Sequence, residues 1–84
     1  MISTIEKQRR AQCMRKWYFH LRGNRARSVE RRRIMQRLAI SRDSFYRMLE
    51  GRTYITDSHA QAINGVVNRH AIVGLEMDVF ALVK

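Results

Sequence analysis

The chain contains no proline, and its four glycines stand at positions 23, 51, 65 and 74. Because little interrupts the chain, long helices are favoured, and Gly23 and Gly51 become the main candidates for helix ends. Apolar residues recur at helical spacing, first as the stripe Met14, Trp17, Tyr18 and Leu21. A length of 84 residues suits a single core. We therefore predict an all-α fold with one domain, residues 1–84.

The first two predicted helices have recognisable N-terminal residues. Ser3 and Glu6 have the spacing of a capping box, which predicts a first helix that runs to about Arg22 and stops at Gly23. Ser28 is the predicted N-cap of a second helix over residues 29–38. The apolar side chains that we expect to face the first helix are Val29, Ile34 and Leu38.

The next two predicted helices are shorter. Ser41 is the expected N-cap of a third helix over residues 42–50, which Gly51 ends. Thr56 or Asp57 is expected to cap a fourth helix, after a connector in which Ile55 enters the core. The inward apolar residues are Phe45, Met48 and Leu49 in the third helix, and Ala60, Ile63 and Val67 in the fourth.

The last segment, residues 71–82, is predicted to be a fifth helix with two apolar stripes. One stripe consists of Ile72, Leu75, Val79, Phe80 and Val83, and the other of Val73, Met77 and Leu82. Exposed apolar clusters often mark interfaces, so Phe19 with the second stripe is a candidate dimer interface. The alternative is that these residues close a small core under a loosely packed C-terminus.

The charge is strongly positive, with 17 Lys and Arg against 7 Asp and Glu, a formal net charge of +10. Such a chain favours an anionic partner, either nucleic acid or an anionic membrane surface. Arginine outnumbers lysine, and its planar fork suits phosphate and guanine, which favours nucleic acid. No apolar run reaches the ~18–20 residues of a membrane span. A lone Cys13 and the lack of a signal-like N-terminus predict a cytoplasmic location without disulfides.

Residues 29–51 have the apolar spacing of two helices that join across a tight turn and share a buried wedge. With Leu38-Ala39-Ile40-Ser41 and Leu49-Glu50-Gly51, the segment resembles the helix-turn-helix of the lambda-repressor and Cro-like family, and the likeness covers roughly residues 28–68. Ala39 replaces the usual turn glycine, and Met35 a usual small residue. Since alanine is strained at positive φ, we expect a rearranged turn or a wider angle between the helices.

The resemblance implies a compact four- to five-helix domain that binds double-stranded DNA, as a transcriptional regulator or repressor of phage or plasmid type. It places the third helix in the major groove, with these residues facing bases: Arg42, Asp43, Tyr46 and Arg47. The expected phosphate contacts are Arg31, Arg32, Ser44, Arg52 and Thr53. The arginines at positions 31–33 and 42 were expected in first turns of helices, where the helix dipole disfavours cations. A homodimer is expected, since one domain reads only a half-site.

Other functions remain open on the sequence. The arginine-rich first helix could bind structured RNA, and the basic surface could meet an acidic protein, as in an antitoxin or antirepressor. A helical hairpin with no binding role shares much of the same spacing. His20, His59, His70 and Cys13 lack zinc-ligand spacing, and Asp57-Ser58-His59 are adjacent residues that cannot form a catalytic relay. We therefore expect no enzyme, metal, cofactor or small-molecule substrate.

Overall fold

The computed structural model describes residues 4–83 and consists of four α-helices followed by one turn of 3₁₀ helix. The elements are α1 (Thr4–Phe19), α2 (Gly23–Leu38), α3 (Arg42–Glu50), α4 (Asp57–Val67) and the 3₁₀ turn (Val79–Ala81). The described part of the chain contains no strand, so the all-α prediction is confirmed. Ser3, one half of the predicted capping box, lies outside the described residues.

The core forms where α1 crosses α3 and the 3₁₀ turn, while α2 packs on α4. Phe45 of α3 is fully buried, with its ring edge-on to Tyr18 at 5.3 Å and to Tyr46 at 5.5 Å. The other core residues from the four helices and the connector include Cys13, Met14, Trp17, Ile34, Met48, Leu49, Ile55 and Ile63. The inward face predicted for the third helix is therefore confirmed, and so are Met14, Trp17 and Tyr18 of the first. α1 ends at Phe19 rather than at about Arg22, so Leu21 packs against the core from the turn that follows the helix.

The second helix begins earlier than predicted. It starts at Gly23, which has a φ of +81°, and Ser28 lies inside the helix rather than at its N-cap. Arg27 donates to the carbonyl of Leu21 at 3.2 Å, and this bond holds the short turn between α1 and α2. Residues 31–33 consequently lie in the middle of α2, so the helix-dipole argument applied to them is wrong. It holds for Arg42, the first residue of α3.

The predicted helix over residues 71–82 is also wrong, because only Val79–Ala81 is helical there. Two asparagines one turn apart, Asn64 of α4 and its C-cap Asn68, bind this segment in another conformation. The Asn68 amide donates to the Met77 carbonyl and accepts from the Met77 N–H, both at 2.7 Å. Asn64 accepts from the Val79 N–H at 2.9 Å. These bonds take the backbone groups that a helix would have paired internally.

Several arginines of α1 bind the rest of the domain. Arg9 donates to the carbonyl oxygens of Phe80 and, at 3.1 Å, Val83. Arg10 donates to the Ile55 carbonyl at 2.6 Å, and Arg15 to the Leu49 carbonyl. Nothing in the sequence distinguished these arginines from the rest. Much of the positive charge of α1 therefore connects α1 to α3 and to the chain segments that follow α3 and α4.

Glu6 holds two of these arginines in position and should make stability depend on pH. Its carboxylate accepts from Arg9 at 2.6 Å and from Arg10 at 3.0 Å, and these bonds lower the pKa of Glu6 from 4.5 to about 2. A lowered pKa in the folded state stabilises the domain above the unfolded pKa, and this stability is lost as pH falls toward the folded pKa.

We expect Glu6→Gln to lower the melting temperature at pH 7, with a difference from the wild type that shrinks between about pH 5 and pH 2. Thermal melts followed by circular dichroism over this range would measure it. Glu76→Gln, in the exposed segment after α4, is the matched control and should follow the wild type. A constant gap between Glu6→Gln and the wild type at every pH would contradict the assignment.

Candidate nucleic-acid interface

The turn between α2 and α3 comprises residues 39–41. Ala39 adopts the left-handed conformation, with φ 54° and ψ 46°. Its N–H donates to the Gln36 carbonyl at 3.3 Å, and the Ile40 N–H donates to the Met35 carbonyl at 3.0 Å. This is a Schellman motif, and Met35 and Ile40 both pack against the core. The turn thus keeps the geometry that glycine favours, with alanine in the strained position.

Ala39→Gly should therefore stabilise the domain. Relief of the left-handed strain is worth ~1–2 kcal/mol, and the greater freedom of glycine in the unfolded chain offsets part of it. We expect a net gain of about 0.5–1 kcal/mol, or a melting temperature higher by a few degrees. Differential scanning calorimetry would measure this.

Gly51→Ala is the reciprocal control, because Gly51 has a φ of +79° and an added Cβ would lie 2.7 Å from the Gln8 side-chain oxygen. It should lower the melting temperature. A decrease for both variants would show that left-handed strain at Ala39 is not significant.

Both ends of α3 are capped as predicted. The Ser41 hydroxyl accepts from the Ser44 N–H at 3.2 Å and donates to the Ser44 hydroxyl at 3.1 Å. At the other end, the Arg52 N–H donates to the Arg47 carbonyl at 2.9 Å across Gly51. Ser44, a predicted phosphate contact, therefore belongs to the cap of α3. The caps hold this short helix in one register against the core.

The outer face of α3 carries the predicted base-contacting residues. Arg42, Asp43 and Arg47 are exposed, whereas Tyr46 is half-buried. The guanidinium of Arg42 lies over the Tyr46 ring, 5.7 Å from its centroid. This cation–π contact restricts Arg42 while it keeps the charge at the surface.

A polar cluster of Tyr18, Arg31 and Tyr46 joins α1, α2 and α3. Arg31 donates to both tyrosine hydroxyls at 3.2 Å and lies 6.0 Å from the centre of the Tyr46 ring. We call this the tyrosine–arginine cluster. It orients Arg31, a predicted phosphate contact, beside the start of α3. It also means that the Tyr46 hydroxyl has partners inside the domain.

The two tyrosines of this cluster differ in acidity. Burial raises the pKa of Tyr18 above its ordinary value, and the bond from Arg31 only partly opposes this effect. Burial also raises the pKa of Tyr46, but the bond from Arg42 and the nearby charges outweigh it, so the pKa of Tyr46 lies below its ordinary value. Tyr46 contacts two guanidinium groups, those of Arg31 and Arg42, whereas Tyr18 contacts that of Arg31.

The remaining predicted phosphate contacts lie apart from this cluster. Arg32 is exposed on α2. Arg52 follows the C-terminal end of α3 and pairs with Glu50 at 3.0 Å. Thr53 is half-buried, and its N–H donates to the Arg47 carbonyl at 3.3 Å. Arg31 and Arg42 thus meet at Tyr46, whereas Arg52 and Thr53 follow the end of α3 and Arg32 lies on α2 beside Arg33.

Ion pairs separate the basic residues into two classes. Within residues 4–83 the arginines that pair with a carboxylate are Arg9, Arg10, Arg52 and Arg69. In the same part of the chain, Arg32, Arg42 and Arg47 make no ion pair. Their charge is available to an external anion, whereas the charges of Arg9 and Arg10 are balanced within the domain.

The predicted dimer residues differ in exposure. Phe19 is 60% exposed, and Val73 and Met77 are 92% and 41% exposed. Leu82 instead packs against the core, which corrects its assignment to an exposed stripe. Met77 and Leu82 line an apolar groove of about 320 Å³, together with Lys16, Trp17, His20 and Leu21.

Comparisons with protein-family models, with curated proteins and with solved structures gave no match to this chain. In the described range, no group of three or more His, Cys, Asp or Glu side chains could hold a metal ion. No helix among residues 4–83 is long and apolar enough to cross a bilayer.

Proposed function

We propose that the protein binds double-stranded DNA in a sequence-specific manner, with α2 and α3 as a helix-turn-helix and α3 in the major groove. One observation carries the proposal. α3 is capped at both ends and presents Arg42, Asp43 and Arg47 outward, and neither arginine makes an ion pair within the described residues. A fixed helix with unpaired guanidinium groups is what base recognition requires.

Each residue of this face has a distinct proposed role. Arg42 and Arg47 would donate to guanine O6 and N7 as bidentate forks. Asp43 would accept from cytosine N4 or interact favourably with the positive end of α3. Tyr46 is better suited to orient Arg42 and Arg31 than to contact a base, because its ring and hydroxyl already contact both arginines.

Phosphate groups would bind at the two ends of α3. Arg31 and Arg32 are the proposed contacts at its start, with Ser44 in the first turn. Arg52 and Thr53 are the proposed contacts at its end. Such contacts fix the register of the protein on DNA without reading the sequence.

The contacts of α1 disfavour the alternative in which that helix binds RNA. Arg9, Arg10 and Arg15 all donate to backbone carbonyls elsewhere in the domain. Structured RNA would have to compete with these bonds. The resemblance also leads us to propose a regulator of phage or plasmid type rather than an antitoxin.

We propose that two copies associate on DNA through the exposed segment 71–77 with Phe19. Val73 and Met77 are its predicted members, and Ile72 and Leu75 are similarly exposed. A two-fold dimer would read two inverted half-sites about one helical turn apart. Two inverted half-sites in the bound DNA would therefore indicate a dimer.

Selection of bound duplexes from a random library tests this function. We expect an enriched motif with guanines at fixed positions, and an affinity that falls with salt at a log–log slope near −5 if about six phosphates are neutralised. Absence of a motif, or tighter binding to hairpin RNA than to any duplex at equal salt, would refute the proposal. An enriched motif without inverted halves would refute only the dimer.

A further inference from the structure

A second basic surface lies between α2 and α4. It is an open groove of about 530 Å³. The residues that line it are Arg33, Gln36, Arg37, Gly65, Val66 and Arg69. An added Cβ at Gly65 would meet nothing within 4 Å, so the α4 side of the groove is open. None of the residues assigned above to DNA recognition belongs to this groove.

The groove faces away from the tyrosine–arginine cluster. Arg31, which contacts Tyr46 of α3, and Arg33, which lines the groove, are two residues apart on α2. In an α-helix this spacing separates side chains by about 200° around the axis. The groove and the contact between Arg31 and Tyr46 therefore lie on different sides of α2.

Arg33 and Arg37 carry charge that nothing in the described chain balances. They stand one turn apart on α2, a spacing at which like charges destabilise a helix. Within residues 4–83 neither makes an ion pair or a side-chain hydrogen bond. Both side chains belong to exposed residues. Their placement would be explained by an anion that bridges the two guanidinium groups.

Arg69 differs, because it is held rigidly at the edge of the groove. Its guanidinium donates to both carboxylate oxygens of Glu30, at 2.9 and 2.5 Å, and to the Val66 carbonyl at 2.7 Å. The bond to Glu30 raises the pKa of Arg69 and balances its charge. Arg69 thus forms one wall of the groove, and Arg33 and Arg37 supply the net positive charge.

We propose that this groove is a second binding site, specific for a phosphate group and separate from α3. Arg33 and Arg37 are its charged ligands, Gln36 adds a side-chain amide, and Arg69 limits its width. The phosphate belongs either to a nucleic-acid strand outside the duplex held by α3 or to a free phosphate compound. Both sources offer the same chemistry to the guanidinium groups.

Nuclear magnetic resonance titration with inorganic pyrophosphate, at constant ionic strength, tests the site. We expect saturable shifts of the backbone amides of Arg33, Gln36, Gly65 and Val66. In Arg33→Gln with Arg37→Gln the affinity should fall about 100-fold or more, since the variant loses both charge-assisted bonds to the phosphate. The amide spectrum of the variant also shows whether it folds.

Arg22→Gln with Arg25→Gln is the matched control. It removes the same charge from two exposed residues at the N-terminal end of α2, the N-cap Arg22 and Arg25 in the first turn. Along the helix axis these residues lie about 18 Å or more from Arg37 and about 12 Å or more from Arg33. Its pyrophosphate affinity should stay within about twofold of wild type. Absence of saturable shifts, or an equal loss in both double variants, would overturn the proposal.

The source of the phosphate is identified in the Arg42→Ala with Arg47→Ala background, where the proposed recognition by α3 is removed. Saturable groove shifts with a short oligonucleotide would assign the site to a nucleic-acid strand. Shifts with pyrophosphate alone would assign it to a free phosphate compound. Either result is independent of whether α3 reads DNA sequence.

Discussion

Replacement of both Arg42 and Arg47 by alanine is expected to lower affinity for the selected duplex by two to three orders of magnitude. Each bidentate contact to guanine contributes ~1–3 kcal/mol of discrimination, so two contacts amount to about 4 kcal/mol. Binding to random duplex should weaken far less, because most other basic residues remain. Fluorescence anisotropy with the selected and a scrambled duplex, at equal salt, would measure both affinities.

Arg42→Lys with Arg47→Lys is the sharper comparison. It keeps both charges but removes the planar forks, so a purely electrostatic role would survive the substitution. We expect the lysine variant to lose most of the preference for the selected site while it keeps the salt slope of the wild type. Equal losses on selected and scrambled duplexes would show that these residues contact phosphates only.

Phe45→Ala is expected to destabilise the domain by about 3–5 kcal/mol, the usual cost of removing a buried aromatic side chain. Phe45 is fully buried, and its edge contacts with Tyr18 and Tyr46 add to the loss. A domain of this size has ~5–15 kcal/mol in total, so the variant should be partly unfolded at 37 °C. Urea denaturation followed by Trp17 fluorescence would measure it.

Phe19→Ala is the control for this substitution, with the same chemical change at a side chain that is 60% exposed. Its effect on the free energy of unfolding should be within about 0.5 kcal/mol. If Phe19→Ala proved as destabilising as Phe45→Ala, the core would not be centred on α3.

The third helix was predictable because its signals are local. Ser41 and Gly51 mark its two ends, and Phe45, Met48 and Leu49 fall on one side at helical spacing. The all-α class followed from the same periodicity. Thr56 as the cap of α4 is confirmed by the bond that it accepts from the His59 N–H.

The predictions that the structure contradicts concern segments whose local conformation is decided by distant contacts. The sequence predicts that Gly23 ends the first helix. In the structure α1 ends at Phe19, a turn of three residues follows, and Gly23 begins α2. The segment after α4 has helical periodicity, but Asn64 and Asn68 bind its backbone groups from α4. Two asparagines at a spacing of four residues are visible in the sequence, whereas their partners are not.

The sequence predicts which residues of the candidate site are exposed, but it does not predict which of them contact one another. Exposure of Arg42, Asp43 and Arg47 follows from the position of Phe45 on a short helix. The bonds from Arg31 to Tyr18 and Tyr46 connect three helices, so no local pattern contains them. No local pattern in the sequence distinguishes the arginines of α1, which bind within the domain, from the arginines that remain available to an anion.

The rate at which a thiol reagent labels Cys13 would measure how often the domain opens. Cys13 is fully buried, and its sulfur lies 3.6 Å from the Val83 carbonyl at the end of the chain segment that Arg9 binds. A thiol reagent can reach it only after that segment detaches or the whole domain unfolds. Detachment exposes little surface, so its labelling rate would hardly change with urea, whereas global unfolding would give a steep dependence. Labelling of the wild-type protein, with no cysteine introduced, therefore shows which of the two motions occurs first.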